Sequence, residues 1–124
     1  MKRLIADRLK TRGDFLRAQK GVRRIAAGLT LEICATPPNV AKKGRLRVGF
    51  TASRKVGGAV ERNRAKRRLR AAAAAVLPLS GRPCTDYVLV ARPVTLSRPF
   101  ASLLEDLAIV LAAAHLKLKP YEES

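Results

Sequence analysis

"SRKVGGAVERNRAKRRLR", Ser53 to Arg70, sets a glycine pair, one asparagine and a dense run of guanidinium groups into one segment. How it folds decides the rest of the chain. On a helical wheel from Ala59 to Leu77, the residues Ala65, Leu69, Ala72 and Val76 fall in one narrow sector and form a buried stripe. Arg62, Lys66 and Arg70 run one turn apart beside that stripe, and Asn63 and Arg67 line the next row. Arg64 and Arg68 lie further round. Like charges at this spacing repel, and Ala71 to Ala75 offset the cost with high helix propensity. Pro78 is expected to end the helix.

A solvated helix face usually mixes signs, because opposite charges one turn apart help the helix. Here Glu61 is the only acid between Arg54 and Arg70, and it sits in the first turn, where the helix dipole favours it. The single sign points to a polyanion, with an ordinary solvated face as the competing reading. Gly57-Gly58 reads as a tight turn into the helix, and the same glycines would let a phosphate approach the free N–H groups there. Asn63 reads equally as structural or as a donor to RNA.

The whole chain carries the same bias. Its 124 residues include 26 Lys and Arg against 9 Asp and Glu, a formal charge of +17. Charge of that size works against the compact state unless a polyanion neutralises it. An apolar share of 48% is ordinary for a globular domain, so this is not a disordered basic tail. One domain, 1–124, is expected, with 1–12 and 117–124 as flexible ends. No apolar run approaches the roughly 20 residues of a spanning helix. The start MKRLIADRLK is too interrupted for a signal peptide, so a cytoplasmic protein without a membrane partner is expected. Cys34 and Cys84 have no CxxC spacing and read as small buried hydrophobes rather than a disulfide. His115 is the only histidine, so no metal site built on His and Cys clusters is expected.

Outward from the basic helix, Asp14 to Lys20 reads as a short helix entered through Thr11-Arg12-Gly13 and closed by Gly21. Leu29 to Cys34 alternates as a half-buried strand does, with Thr30, Glu32 and Cys34 opposite Leu31 and Ile33. Leu46 to Ser53 alternates too: Leu46, Val48, Phe50 and Ala52 share one face, Arg47, Gly49, Thr51 and Ser53 the other. Val22 to Ala26 adds a short, irregular strand. Asp86 to Arg92 is nearly continuously apolar, as in a buried strand. Ser97 and Pro99 open a last helix with Phe100, Leu103, Leu104, Leu107 and Leu111 at core spacing. The order α-β-β-β-α-β-α implies an α/β (α+β) two-layer sandwich.

The stretch Lys55 to Arg70 resembles the signature of the protein subunit of bacterial ribonuclease P, K-x-G-x-A-V-x-R-N-R-x-K-R-x-x-R. The matches are Lys55, Gly57, Ala59, Val60, Arg62, Asn63, Arg64, Lys66, Arg67 and Arg70. Asp14-Phe15, Arg47-Val48-Gly49 and Val90-Ala91-Arg92 fit as well, so the resemblance spans about Arg12 to the last helix. It implies a fold like the second domain of ribosomal small-subunit protein five, with a left-handed strand–helix–strand crossover where general rules favour the right-handed one. It implies a protein that joins a catalytic RNA subunit to mature the 5′ ends of precursor tRNAs. The RNA would hold the active site and its Mg2+, and the protein would bind no cofactor of its own. RNA contacts would come from Arg54, Lys55, Arg62, Asn63, Arg64, Lys66, Arg67, Arg68 and Arg70.

The residues agree that the protein alone lacks a catalytic centre: they offer neither a carboxylate cluster for two metals nor a histidine pair for acid–base cleavage. The resemblance also implies a cleft for the single-stranded 5′ leader, between the first helix and the sheet. Phe15, Gln19, Thr30, Glu32, Arg47, Thr51 and Ser53 would line it. Phe15 is either a stacking platform or a core contact of its helix. Gln19 and Glu32 stand where relatives often carry aromatics, so the groove is expected to depend on charge, chiefly Arg54, Lys66 and Arg70. The competing functions are a structural ribosomal or other RNA-packaging protein, which would share the charge, and a DNA-binding basic helix.

Overall fold

Strand residues that alternate in the sequence alternate between two covered faces in the computed structural model, which describes residues 3–121. The strands are β1 (Ile5–Arg8), β2 (Val22–Ile25), β3 (Leu29–Ala35), β4 (Arg45–Thr51) and β5 (Thr85–Ala91). They form one sheet in the order β1-β4-β5-β3-β2. β4 runs parallel to both β1 and β5, whereas β3 is antiparallel to β5 and β2. The helices are α1 (Arg12–Gln19), α2 (Ala59–Ser80) and α3 (Phe100–His115), with a 3₁₀ turn at Pro93–Leu96. α2 is the crossover between the parallel neighbours β4 and β5.

One face of the sheet supplies Leu29, Leu31, Ile33, Leu46, Val48, Tyr87, Leu89 and Ala91 to the main core. Ala65, Leu69, Ala72, Ala73 and Leu77 of α2, and Leu103, Leu107, Val110, Leu111 and Ala114 of α3, close it from the other side. This is the expected two-layer sandwich. The short α1 lies on the opposite face, where Ala18 and Phe15 meet Val88, Val90 and Cys34. The expected stripe on α2 is buried except Val76, which is half-buried at its margin.

Three expectations are corrected. Residues 5–8 are not loose: β1 pairs with β4 from Ile5↔Arg45 to Arg8↔Val48, which puts a strand before α1 in the element order. At the other end Leu118 packs against the main core, while 122–124 lie outside the described residues. Pro78 sits inside the last turn of α2, which runs on to Ser80. The carbonyl of Pro78 accepts the N–H of Leu4 at 2.8 Å, tying the segment before β1 to the helix end. Neither cysteine is fully buried: Cys34 is half-buried and Cys84 is exposed, and both thiols are free.

The end of α3 is fixed by a polar contact in the core. The buried Tyr87 hydroxyl accepts the Arg82 N–H at 2.7 Å and lies 2.8 Å from His115 Nε2. Burial pushes the Tyr87 pKa up to about 12, so the phenol keeps its proton. Burial, with the neighbouring Arg82 charge, holds His115 below the usual histidine range. A depressed folded-state pKa means that the unfolded chain binds more protons as pH falls below about 6.5. The domain should therefore lose stability from that pH down to the folded-state value. Urea midpoints at pH 7.5 and 5.5 should differ by more in the native chain than in His115→Gln. An equal drop in both would show that the imidazole contributes nothing.

Candidate nucleic-acid interface

α2 is entered through a turn over Arg54 to Val56, closed by the Val56 N–H to the Ser53 carbonyl at 3.1 Å and the Gly57 N–H to the Arg54 carbonyl at 3.2 Å. Gly57 has φ +145°, a backbone that disfavours side chains, and a Cβ there would stand 2.7 Å from Glu61 Cβ. The Gly58 N–H donates to Glu61 Oε1 at 2.8 Å. That carboxylate occupies one of the N–H groups expected to be open to a phosphate.

The basic side chains of α2 divide by what they touch. Asn63, Arg64, Arg67 and Arg70 are exposed, and Arg62 and Lys66 are half-buried. Arg62 Nη1 donates to the Gly57 carbonyl at 3.3 Å, bracing the turn. Among the described residues no carboxylate pairs with Arg62, Arg64, Lys66, Arg67 or Arg70. Arg54 and Lys55 are exposed on the turn. Arg68 is different: its guanidinium donates to the carbonyls of Thr95, at 3.0 Å, and Arg98. Those contacts pin α2 to the 3₁₀ turn and give Arg68 a structural role that the other basic side chains of the helix lack.

The expected leader cleft changes membership. The Phe15 ring stands directly over Gly49, where a Cβ would come within 2.5 Å of Phe15 Cε1 and Cζ. Gln19 and Ser53 are exposed, and Thr51 is half-exposed. Thr30 and Glu32 are on the predicted face but buried, so neither is open to a strand of RNA. Burial pushes the Glu32 pKa up, and Arg23 at 3.8 Å counters it only in part. Arg47 is consumed: Nε and Nη2 donate to the two oxygens of Asp86 at 2.8 and 2.6 Å, and Nη2 also reaches Asp14 Oδ1 at 3.1 Å. Thr36 completes the set by donating to Asp86 Oδ1 at 2.7 Å. Burial tends to raise the Asp14 pKa, but hydrogen bonds from Arg17 and Thr11 and the Arg47 charge bring it below the usual range.

Arg70 does not face this cleft. Its guanidinium lies 5.6 Å from the centre of the Phe50 ring, a cation–π contact. Phe50 points to the core side of β4 and Phe15 sits on the other side. The charge expected to serve the Phe15 groove is therefore split by the sheet. Sequence reasoning missed Arg8, which joins Arg70, Phe50 and Val48 around an open groove of about 440 Å³. No sequence signal marked it, because the strand that carries it forms only by pairing with β4.

Among the described residues, the acids other than Glu105 are held by the chain's own cations or amides. Asp14 and Asp86 hold Arg47, Glu61 caps α2, and Asp106 binds Arg98 at 2.9 Å and the Gly28 N–H at 3.0 Å. Among the described residues no three His, Cys, Asp or Glu side chains gather as a metal ion requires. No helix among them is long and apolar enough to cross a membrane.

The family model described as ribonuclease P matches residues 5–115. The chain belongs to the ribonuclease P protein family. It is 50% identical over 108 residues to the ribonuclease P protein component of Ruegeria pomeroyi, covering 86% of this chain and 85% of that one. Identity to the component of Paramagnetospirillum magneticum is 48% over 106 residues, covering 85% and 80%. The solved RNase P protein of Staphylococcus aureus superposes with a TM-score of 0.69 at 25% identity, over 89% of this chain and 96% of that one. The family spans both the α2 signature and the sheet that presents it.

Proposed function

We propose that this chain binds the catalytic RNA subunit of ribonuclease P and the 5′ leader of precursor tRNA, in the cytoplasm, and assists removal of that leader. The observation that carries this reading is the row of exposed side chains on α2, Arg64 and Arg67 with Asn63, flanked by Arg62 and Lys66. From Arg62 to Arg70 the helix rises about 12 Å, comparable with two phosphate spacings. Magnesium and the cleaving chemistry belong to the RNA in this reading, and Asp14, Glu61, Asp86 and Asp106 are already engaged by the protein's own arginines and amides. The leader would lie against Phe15, Gln19 and Thr51.

Reconstitution tests it. RNA-free protein should leave precursor tRNA intact, yet restore cleavage by its cognate RNA at low magnesium. Site-correct cleavage by rigorously RNA-free protein would overturn the assignment. Arg64→Ala and Arg67→Ala should each weaken binding to the RNA subunit several-fold without moving the thermal midpoint, because neither side chain touches the core. Together they should lower the slope of log affinity against log salt by about two contacts' worth, roughly 0.7–0.9 each. Arg68→Ala should do the reverse, lowering the midpoint through its lost carbonyl partners.

A further inference from the structure

Cations also gather far from the α2 signature. A groove of about 640 Å³ runs between the end of α1, the end of β3 and the chain after α3. Arg17, Lys20, Lys117, Lys119 and Tyr121 line it, with the half-buried Cys34 among the lining residues, and no carboxylate contributes to it among the described residues. The chain after α3 is held there. The Lys117 N–H donates to the Ala114 carbonyl at 3.0 Å, and Leu118 packs inward against the core. Lys117 and Lys119 flank that anchor and both are exposed. Arg17 spends part of its charge on Asp14 at 3.1 Å. Among the described residues no acid pairs with Lys20, Lys117 or Lys119.

α1, whose end carries Arg17 and Lys20, lies on the face of the sheet opposite α2, and no α2 residue lines this groove. The groove adjoins the leader cleft instead. Phe15 and Lys20 are five residues apart on the same short helix and its cap, a rise of roughly 7 Å, with exposed Gln19 between them. An extended strand leaving Phe15 along α1 therefore meets Lys20 and then the two tail lysines. Tyr121 adds a π-face at the same place, and cations interleaved with an aromatic are the pattern that single strands use.

We infer that this groove is a second single-strand RNA site, which takes the leader nucleotides lying upstream of those at Phe15. The inference rests on the leader reading of the first cleft. Holoenzyme reconstituted with cognate RNA is titrated with precursor tRNA carrying a leader of about four or about twelve nucleotides, at several salt concentrations. The expected result is that wild type gains affinity with the longer leader and that the Lys20→Ala/Lys117→Ala/Lys119→Ala variant loses that gain. Its salt slope for the long leader should flatten by roughly 1.4–2.1, two to three single-strand contacts. Tyr121→Leu should weaken the long-leader complex with the slope unchanged. Affinity for the four-nucleotide precursor and for the RNA subunit should stay at wild-type values in both variants. An unchanged length dependence in the triple variant would overturn the inference. So would a loss equal for both leaders, or confined to the RNA subunit, because the groove would then serve that RNA. Failure of the first cleft would instead appear as no discrimination between four-nucleotide and leaderless precursor by the wild type.

Discussion

An Arg47→Met variant is expected to lose about 3–5 kcal/mol of stability, the usual cost of breaking a buried ion pair from one side. That is a large share of the 5–15 kcal/mol that holds a domain of this size together. Asp86 is completely buried, and its two oxygens receive hydrogen bonds from Arg47 and Thr36. Without the guanidinium, an uncompensated carboxylate remains between β4 and β3. The same substitution removes the link to Asp14 through which α1 is tied to the sheet. Arg47→Lys should fall between, since an ammonium keeps the charge but not the fork that spans Asp86 and Asp14. Pairing Arg47→Met with Asp86→Leu should recover much of the loss, because no orphan charge then stays inside. Urea denaturation of the four proteins makes the comparison. A single Arg47→Met variant within 1 kcal/mol of wild type would mean that the network is ornamental.

Gly49→Val is expected to disable the proposed leader cleft and to cost about 1–3 kcal/mol through overpacking. A Cβ at this position would meet the Phe15 ring at 2.5 Å and Leu9 Cβ at 3.2 Å, so the ring must leave its seat and α1 must lift with it. The partner test is Phe15→Ala in the same background. Truncating the ring makes room for the valine, so the double variant should be more stable than the two single losses summed would allow. It should nevertheless stay unable to tell leader-bearing from leaderless precursor, because the aromatic platform is gone. Phe15→Leu alone should weaken leader binding and leave its salt slope unchanged. Strictly additive losses from Gly49→Val and Phe15→Ala would mean that the ring does not rest on this glycine.

Some of this was legible in the sequence because it depends on near neighbours. The α2 stripe, the faces of β3 and β4 and the entry to α1 through Thr11 follow from spacing within a few residues. Thr11 Oγ1 does accept the Asp14 N–H, at 3.2 Å. β1 was not legible: its four residues, IADR, have no alternation of their own and become a strand only by pairing with β4, forty residues on. Arg67 and Arg68 are adjacent and chemically identical, yet one faces solvent and the other holds carbonyls at 95 and 98. The helical wheel sets Arg68 beside the buried stripe and Arg67 almost opposite it, but the carbonyls that Arg68 meets come from a turn some thirty residues on. Periodicity likewise put Glu32 on the correct face of β3, but burial there depends on which elements cover that face. Lys20, Lys117 and Lys119 line one groove for the same reason: the fold, not the order of residues, brings the end of α1 to the end of α3.

The position of β5 bears on how the chain can be made. It is the last strand in the sequence and the middle strand of the sheet, and both of its neighbours hydrogen-bond to it along their length. During vectorial synthesis the β2–β3 hairpin and the β1–β4 pair can each form early, but they remain two separate ribbons with unpaired inner edges. Only when residues 85–91 leave the ribosome can a single insertion join them. Until then each ribbon presents a bare edge of the kind that pairs with other chains. Arg47, on one of those edges, has only Asp14 to pair with until Asp86 arrives on the inserting strand.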